Sequence, residues 1–238
     1  MSRATGTATG HRARLTLTAL AAAGALTLTL AGVVAAPHAG AATTSTPVVF
    51  VHGYSETPSN WSTAKASFQT AGYSAGALFT YQYDWKQSNK TSAQGLAAYV
   101  QQVLAATGAS QVDIVNHSMG GMVTNWYMKE LGGQPYVKHM ASLAGANHGS
   151  YNAASCQSTT SCQEMYPGSA FLTTVNAGDE TPGSTKYATW YSPCDGMINP
   201  YTSTVLSGAT NNLVACETHM AYLTDSKILT AVQQFLTT

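Results

Sequence analysis

The stretch Val112-Asp-Ile-Val-Asn-His-Ser118-Met-Gly-Gly121 constrains this chain more than any other part of it. A short apolar run ends on a serine flanked by histidine and methionine, and two glycines then open a helical pattern. Each glycine costs a helix about 1 kcal/mol relative to alanine, so helix stability did not place them. A sharp strand-to-helix turn accounts for both. The residue two after the serine must be nearly bare, and the next must let the new helix pack closely on its neighbour. Such a turn lifts the serine hydroxyl out of the top of a sheet, where it can act as a nucleophile. The usual G-x-S-x-G pattern has glycine where this chain carries Asn116. A serine N-cap before a flexible joint would look similar, so the reading depends on a base, an acid and an oxyanion donor elsewhere.

The first forty or so residues read as a leader rather than as part of the fold. Arg3, Arg12 and Arg14 make a basic start, Leu15 to Ala36 is an apolar run, and Ala39-Gly40-Ala41 offers a small-residue cleavage site. The run is also long enough for an uncleaved anchor, but the small residues favour cleavage near Ala41. The expected organisation is therefore a secretory signal peptide over 1–41 and one catalytic domain over 42–238. All three arginines leave with the leader, so seven lysines face ten acids in the remainder. Nucleic acid is not an expected partner of so lightly charged a chain.

Cys156, Cys162, Cys194 and Cys216 should be oxidised after export. Cys156 and Cys162 are near neighbours in a loop rich in serine and threonine, which favours a local pair and leaves Cys194 with Cys216. A zinc site is the competing reading, but none of the spacings is C-x-x-C. No metal and no cofactor is expected.

Apolar runs alternate with helical patterns, which predicts an α/β fold with a mainly parallel sheet and helices on both faces. Strands are expected at 47–51, 77–81, 112–115, 137–143, 187–191 and 213–215. Helices are expected at 60–70, from a Thr91/Gln94 capping box to Thr107, at 119–131 and at 226–236. Residues 150–183 read as a polar, irregular excursion.

A serine needs a histidine to take its proton and a carboxylate to hold that histidine's tautomer. Both should directly follow strands, in the order serine, acid, histidine. His219 follows the last strand and precedes the final helix, where the base belongs. Asp195, in Ser192-Pro-Cys-Asp-Gly196, directly follows the 187–191 strand and is the acid of choice. Asp179 and Glu180 read as turn formers, Asp225 as a helix cap, His139 as a packed strand residue, His52 as structural and His148 as a near-site residue. A Cys194–Cys216 bond would staple the acid and base loops together. Two backbone N–H groups are needed for the oxyanion, and Tyr54, after the first strand, and Met119 are the candidates. Tyr54, Met119, Met197, Ile198 and Met220 are candidates for an apolar acyl wall.

With these residues placed, the chain resembles the class 2 bacterial lipases. The matches are Val48-Val-Phe-Val-His-Gly53, Val112-Asp-Ile-Val-Asn-His-Ser-Met-Gly-Gly121, Leu143-Ala-Gly-Ala-Asn147, Tyr191-Ser-Pro-Cys-Asp195 and Thr218-His219-Met220. The resemblance implies a compact α/β-hydrolase with little or no lid. It also implies Ser118, Asp195 and His219 as nucleophile, acid and base, with oxyanion amides at Tyr54 and Met119. The activity it implies is secreted hydrolysis of acylglycerols or similar apolar esters by a monomer that contacts lipid interfaces transiently. Weak interfacial activation and short to medium acyl chains are expected. A histidine base must be neutral to work, so activity should fall below about pH 6.5. Thioester, polyester or acyl-transfer chemistry on the same residues stays open, as does, more distantly, an inactive secreted binding protein.

Overall fold

Val48–Val51 (β1) is a run of β-branched and aromatic residues with no solvent exposure, as a strand covered on both faces requires. The computed structural model describes residues 46–238, so the expected leader and its cleavage site at Ala41 lie outside the described residues. Five further strands follow: Leu78–Tyr81 (β2), Val112–His117 (β3), Val137–Leu143 (β4), Lys186–Tyr191 (β5) and Thr210–Leu213 (β6). All pair in parallel, in the order β2-β1-β3-β4-β5-β6.

The main helices are Ser62–Thr70 (α1), Asn89–Thr107 (α2), Gly120–Glu130 (α3) and Ser226–Phe235 (α6). Two short ones lie between, Thr160–Met165 (α4) and Ala170–Val175 (α5). β1 leads to β2 on one side, whereas β3 to β6 extend on the other. Right-handed crossovers therefore put α1 on the face opposite α2 and α3. Packing agrees, since α2 lies against α3 and α1 against α6. The order in which strands are added reverses between β1 and β3, and the crevice beyond the carboxyl ends of such a pair is where open α/β sheets bind ligands. The register pairs Val51, the last residue of β1, with Asn116, so β3 runs one residue further, to His117.

Several boundaries differ from the sequence expectation. The last strand is Thr210–Leu213, not 213–215, because an edge strand needs no apolar run. Asn211 and Asn212 hold it through their side chains: Thr189 Oγ1 donates to Asn211 Oδ1 at 2.7 Å, and Asn212 Nδ2 donates to the Thr189 carbonyl at 3.0 Å. α2 starts at Asn89, capped by Ser88, whose hydroxyl accepts from Lys90 N–H, so Thr91 lies inside the helix. Gly108 closes it in the left-handed region, as expected. The 150–183 excursion is ordered: it contains a 3-10 turn at Tyr151–Cys156 and the helices α4 and α5, with Phe171, Leu172 and Val175 buried. A 3-10 turn at Pro58–Trp61 precedes α1, where one continuous helix from Asn60 was expected. Among the described residues, no helix is long and apolar enough to cross a membrane.

Candidate active site

β3 delivers Ser118 into a backbone conformation that serine rarely adopts, with φ at +55°. Three hydrogen bonds hold it there. Ser118 N–H donates to the Leu143 carbonyl (3.1 Å), and the Ser118 carbonyl accepts from Gly121 N–H (3.0 Å) and Ala146 N–H (2.9 Å). The glycines are sterically required. A Cβ on Gly120 would stand 2.6 Å from the Val51 carbonyl oxygen and 2.7 Å from that of His52, both backbone atoms that cannot swing away. A Cβ on Gly121 would run into Asn147 Oδ1. Asn116 has its own place: it is buried, paired in register with Ser142, and accepts that residue's hydroxyl at 2.8 Å. The elbow thus carries a polar residue where glycine is usual, with a neighbouring strand supplying a donor to its side-chain oxygen while its Nδ2 has no partner among the described residues.

His219 sits in the loop between β6 and α6. Its Nε2 lies 2.9 Å from Ser118 Oγ, and its Nδ1 lies 2.9 Å and 3.1 Å from the two carboxylate oxygens of Asp195. Asp195, just beyond β5, also accepts the N–H groups of Ile198 (2.6 Å) and Met197 (2.9 Å). Burial alone would raise the Asp195 pKa. The hydrogen bond and charge of His219, with the two backbone donors, outweigh it and hold the carboxyl below its usual 3.8. Asp195 is therefore an anion shaped to keep a proton on His219 Nδ1, which leaves Nε2 free to accept the serine proton.

Two links brace the loops that carry Asp195 and His219. Cys194 and Cys216 form a disulfide, and the buried Ser192 hydroxyl accepts from both Cys194 N–H (3.1 Å) and Glu217 N–H (2.8 Å). The second disulfide, Cys156–Cys162, ties the 3-10 turn of the excursion to α4. Both pairings are those expected from the sequence.

The turn after β1 runs against the serine: a Cβ on Gly53 would lie 2.6 Å from Ser118 Cβ. That brings the turn carrying Tyr54 beside the elbow, and neither Tyr54 N–H nor Met119 N–H donates to another group among the described residues. A cavity of about 400 Å³ opens over Ser118 and His219, lined by Tyr54, Met197, Ile198 and Met220 as the sequence suggested. Met119 differs, since its side chain is fully buried in the core and does not line the cavity. Ala153, Cys156 and Met165 do line it. The excursion therefore forms one wall of the cavity, which its polar composition concealed.

His148 is not brought to the serine. It bonds Glu180 through Nε2 at 2.7 Å, beside a separate surface hollow. Glu180 is thereby more than a turn former, and it also accepts Ser207 N–H. Asp179 accepts Thr181 N–H in a turn, Asp225 caps α6, and His139 is buried against Asp113 at 2.8 Å, as expected. His52 is buried and stacked on Tyr83, in keeping with a structural role.

One pair escaped the sequence reading. Glu56 Oε1 and His117 Nδ1 lie 2.7 Å apart beneath the site. The sequence clue was a carboxylate three residues after the His52-Gly53 turn. The donor atoms of Glu56, His117 and His219 lie within 4.8 Å of one another, the make-up of a cation site. The hydrogen bonds described here already engage those groups.

The profile of the family described as Lipase (class 2) matches residues 45–235. A triacylglycerol lipase of Burkholderia plantarii is 32% identical over 117 residues, covering 46% of this chain and 33% of that protein. A triacylglycerol lipase of Pseudarthrobacter phenanthrenivorans is 31% identical over 91 residues, covering 36% of this chain and 28% of that protein. The match thus spans about a third of the length of these relatives. Among solved structures, the mature Bacillus licheniformis lipase BlEst2 has a TM-score of 0.72 at 18% identity, over 82% of this chain and 93% of that one. A metagenomic carboxyl esterase has a TM-score of 0.65 at 13% identity, over 82% and 76%. At such identities the structural likeness speaks to the fold alone.

Proposed function

Because the chain belongs to the class 2 lipase family and carries the α/β-hydrolase fold of an ester hydrolase, we propose that it cleaves carboxylic esters through an acyl-enzyme on Ser118. The observation that carries this reading is the unbroken hydrogen-bonded series from Ser118 Oγ through His219 to Asp195. In the first half-reaction, His219 Nε2 takes the hydroxyl proton as Ser118 Oγ attacks the ester carbonyl carbon. Asp195 stabilises the imidazolium that forms. The Tyr54 and Met119 N–H groups hold the oxygen on which negative charge develops. Collapse breaks the ester C–O bond, and His219 returns its proton to the leaving alcohol. Water, deprotonated by the same histidine, then attacks the acyl carbon and releases the acid and free Ser118.

Met197, Ile198 and Met220 form the acyl side of the cavity. A volume of about 400 Å³ is near the small end of ligand pockets, roughly 300–1,000 Å³, which favours short to medium acyl chains. Met197 and Met220 are about half exposed at its mouth, a surface suited to brief contact with a lipid interface by a monomer. Residues 1–41 act as a signal peptide in this account, with residues 42–238 as the catalytic domain, and two disulfides suit an oxidising, extracellular destination.

The test is hydrolysis of p-nitrophenyl esters of graded chain length by the wild type and Ser118→Ala. The wild type should prefer short to medium chains, and the variant should lose a factor on the order of 10⁴ to 10⁶. Equal activity in the variant would end the assignment.

A further inference from the structure

A neutral imidazole carries a single N–H, so a histidine that faces an ionised carboxylate at one ring nitrogen and a carbonyl oxygen at the other holds both protons. His117 is such a residue. Its Nδ1–H donates to Glu56 Oε1 at 2.7 Å, and its Nε2–H donates to the carbonyl oxygen of His219 at 2.8 Å. Burial opposes ionisation of Glu56, but His117 outweighs it and keeps that carboxyl ionised, with its pKa below the usual 4.5. The ring is wholly buried, and Glu56 nearly so. A buried ion pair is a poor way to stabilise a fold, since apolar residues of the same size often do as well or better. What this pair touches gives it a different use.

Each end meets a segment of the candidate site. Glu56 Oε2 accepts Gly53 N–H at 2.9 Å, which fixes the turn carrying Tyr54. His117 directly precedes Ser118 and is part of β3. The carbonyl it bonds belongs to His219, whose ring centroid stands 4.6 Å from its own. Segments far apart in the chain, 61 and 102 residues from His117 to its two partners, thus converge on one imidazole.

We propose that Glu56 and His117 are positioning residues for the hydrolysis, a carboxylate–imidazolium pair that clamps the Tyr54 turn, the Ser118 elbow and the His219 loop into one arrangement. This rests on the assignment of Ser118 and His219 under the proposed function. The clamp acts through other groups: it sets the distance from Ser118 Oγ to His219 Nε2 and the direction of the Tyr54 N–H. Positioning errors of about 1 Å can cost on the order of 100-fold in rate.

The charged and titratable groups around His117 are Glu56, Asp195 and His219, with Tyr83 and His52 beside Glu56. Burial alone would lower the His117 pKa. The charge and hydrogen bond of Glu56, the His219 carbonyl and the charge of Asp195 outweigh it and hold the ring above its usual 6.5. As pH rises through that raised value, one of the two hydrogen bonds is lost and the clamp opens on one side.

Long-range ¹H–¹⁵N NMR of the purified enzyme, with His117→Asn to assign the signal, reads the protonation state directly. Both His117 nitrogens should be protonated at pH 7. In Glu56→Gln, kcat should fall about 10–100-fold with KM within about twofold, and the alkaline limb of the kcat profile should move to lower pH. A singly protonated His117 at pH 7 would overturn the proposal, as would an unchanged kcat and pH profile in Glu56→Gln. If that variant does not fold, the wild-type spectrum decides alone. Ser118→Ala separates the two readings: activity retained there would overturn the serine assignment and leave the His117 spectrum standing as a separate result.

Discussion

Ser118 is held in left-handed backbone geometry by hydrogen bonds from three directions, a conformation costing about 1–3 kcal/mol that surrounding structure must sustain. In the proposed reaction the role of Asp195 is electrostatic and orientational: its carboxyl, with a pKa held below its usual 3.8, faces His219 Nδ1 and favours the tautomer protonated there. Asp195→Asn should therefore lower kcat by about 10⁴ with the fold intact, measured beside a circular dichroism spectrum of the variant. A loss under about tenfold would mean that this carboxylate does not set the tautomer. That Ser118, Asp195 and His219 meet was legible in the sequence because Ser118 and Asp195 lie just beyond apolar strands and His219 lies between the last strand and the final helix, at the strand ends such a sheet brings together. The meeting of Glu56 and His117 was not. Their partnership joins residues 61 apart, and the one local clue, a carboxylate three residues after the His52-Gly53 turn, does not point to His117. Asn116 was the opposite case, a departure from pattern that proved to have a hydrogen-bonding partner in Ser142 on the next strand.

At the level of elements, the site is an arrangement of strand ends, and two of its loops need an extra tie. β6 is a polar edge strand, so little packing fixes the loop that follows it. The Cys194–Cys216 bond and the Ser192 hydroxyl supply the tie. Replacing both cysteines of this pair with serine should cost about 3 kcal/mol for the separation of 22 residues, measured by urea unfolding. It should also lower kcat. The Cys156–Cys162 bond closes a loop of six, so the matching change there should cost about 2 kcal/mol and should leave kcat closer to wild type. Equal kcat effects from the two pairs would mean that the brace has no special bearing on the site. The same polar edge explains why the last strand was placed three residues late from sequence: Leu213-Val-Ala215 looked like a strand core, whereas Asn211 and Asn212 carry the pairing. The buried strands β1, β3 and β4 were legible because burial on both faces demands continuous apolar runs. The helices of the excursion were hidden because their buried residues are scattered among serines and threonines.

Across the whole molecule, the site lies where strand order reverses, so the elements that make the core also bring Ser118, the Tyr54 turn and the His219 loop to one edge. Stability should depend on pH through the same groups. Asp195 and Glu56 have pKa values below their usual 3.8 and 4.5. Burial opposes the shift in both; His219 and His117 respectively outweigh it. Their contribution is full above those usual values and is lost as pH falls through the lowered ones. His117 lies above its usual 6.5, so its contribution is full below 6.5 and is lost as pH rises through the raised value. These three groups therefore add to the thermal melts an acid loss below about pH 4 and an alkaline loss above about pH 7, while His52, held below its usual 6.5 by burial, adds a separate loss as pH falls below about 6.5. An alkaline loss that is unchanged in Glu56→Gln would contradict its assignment to His117. The central claim, one nucleophilic serine at this switch point, is tested most directly by trapping it. The purified protein is treated with an alkyl p-nitrophenyl phosphonate, followed by intact-mass and peptide-mass measurement. The account expects one phosphonyl adduct per chain, on Ser118, with complete loss of esterase activity and no adduct in Ser118→Ala. An adduct on another residue, or full inhibition with Ser118 unmodified, would contradict it.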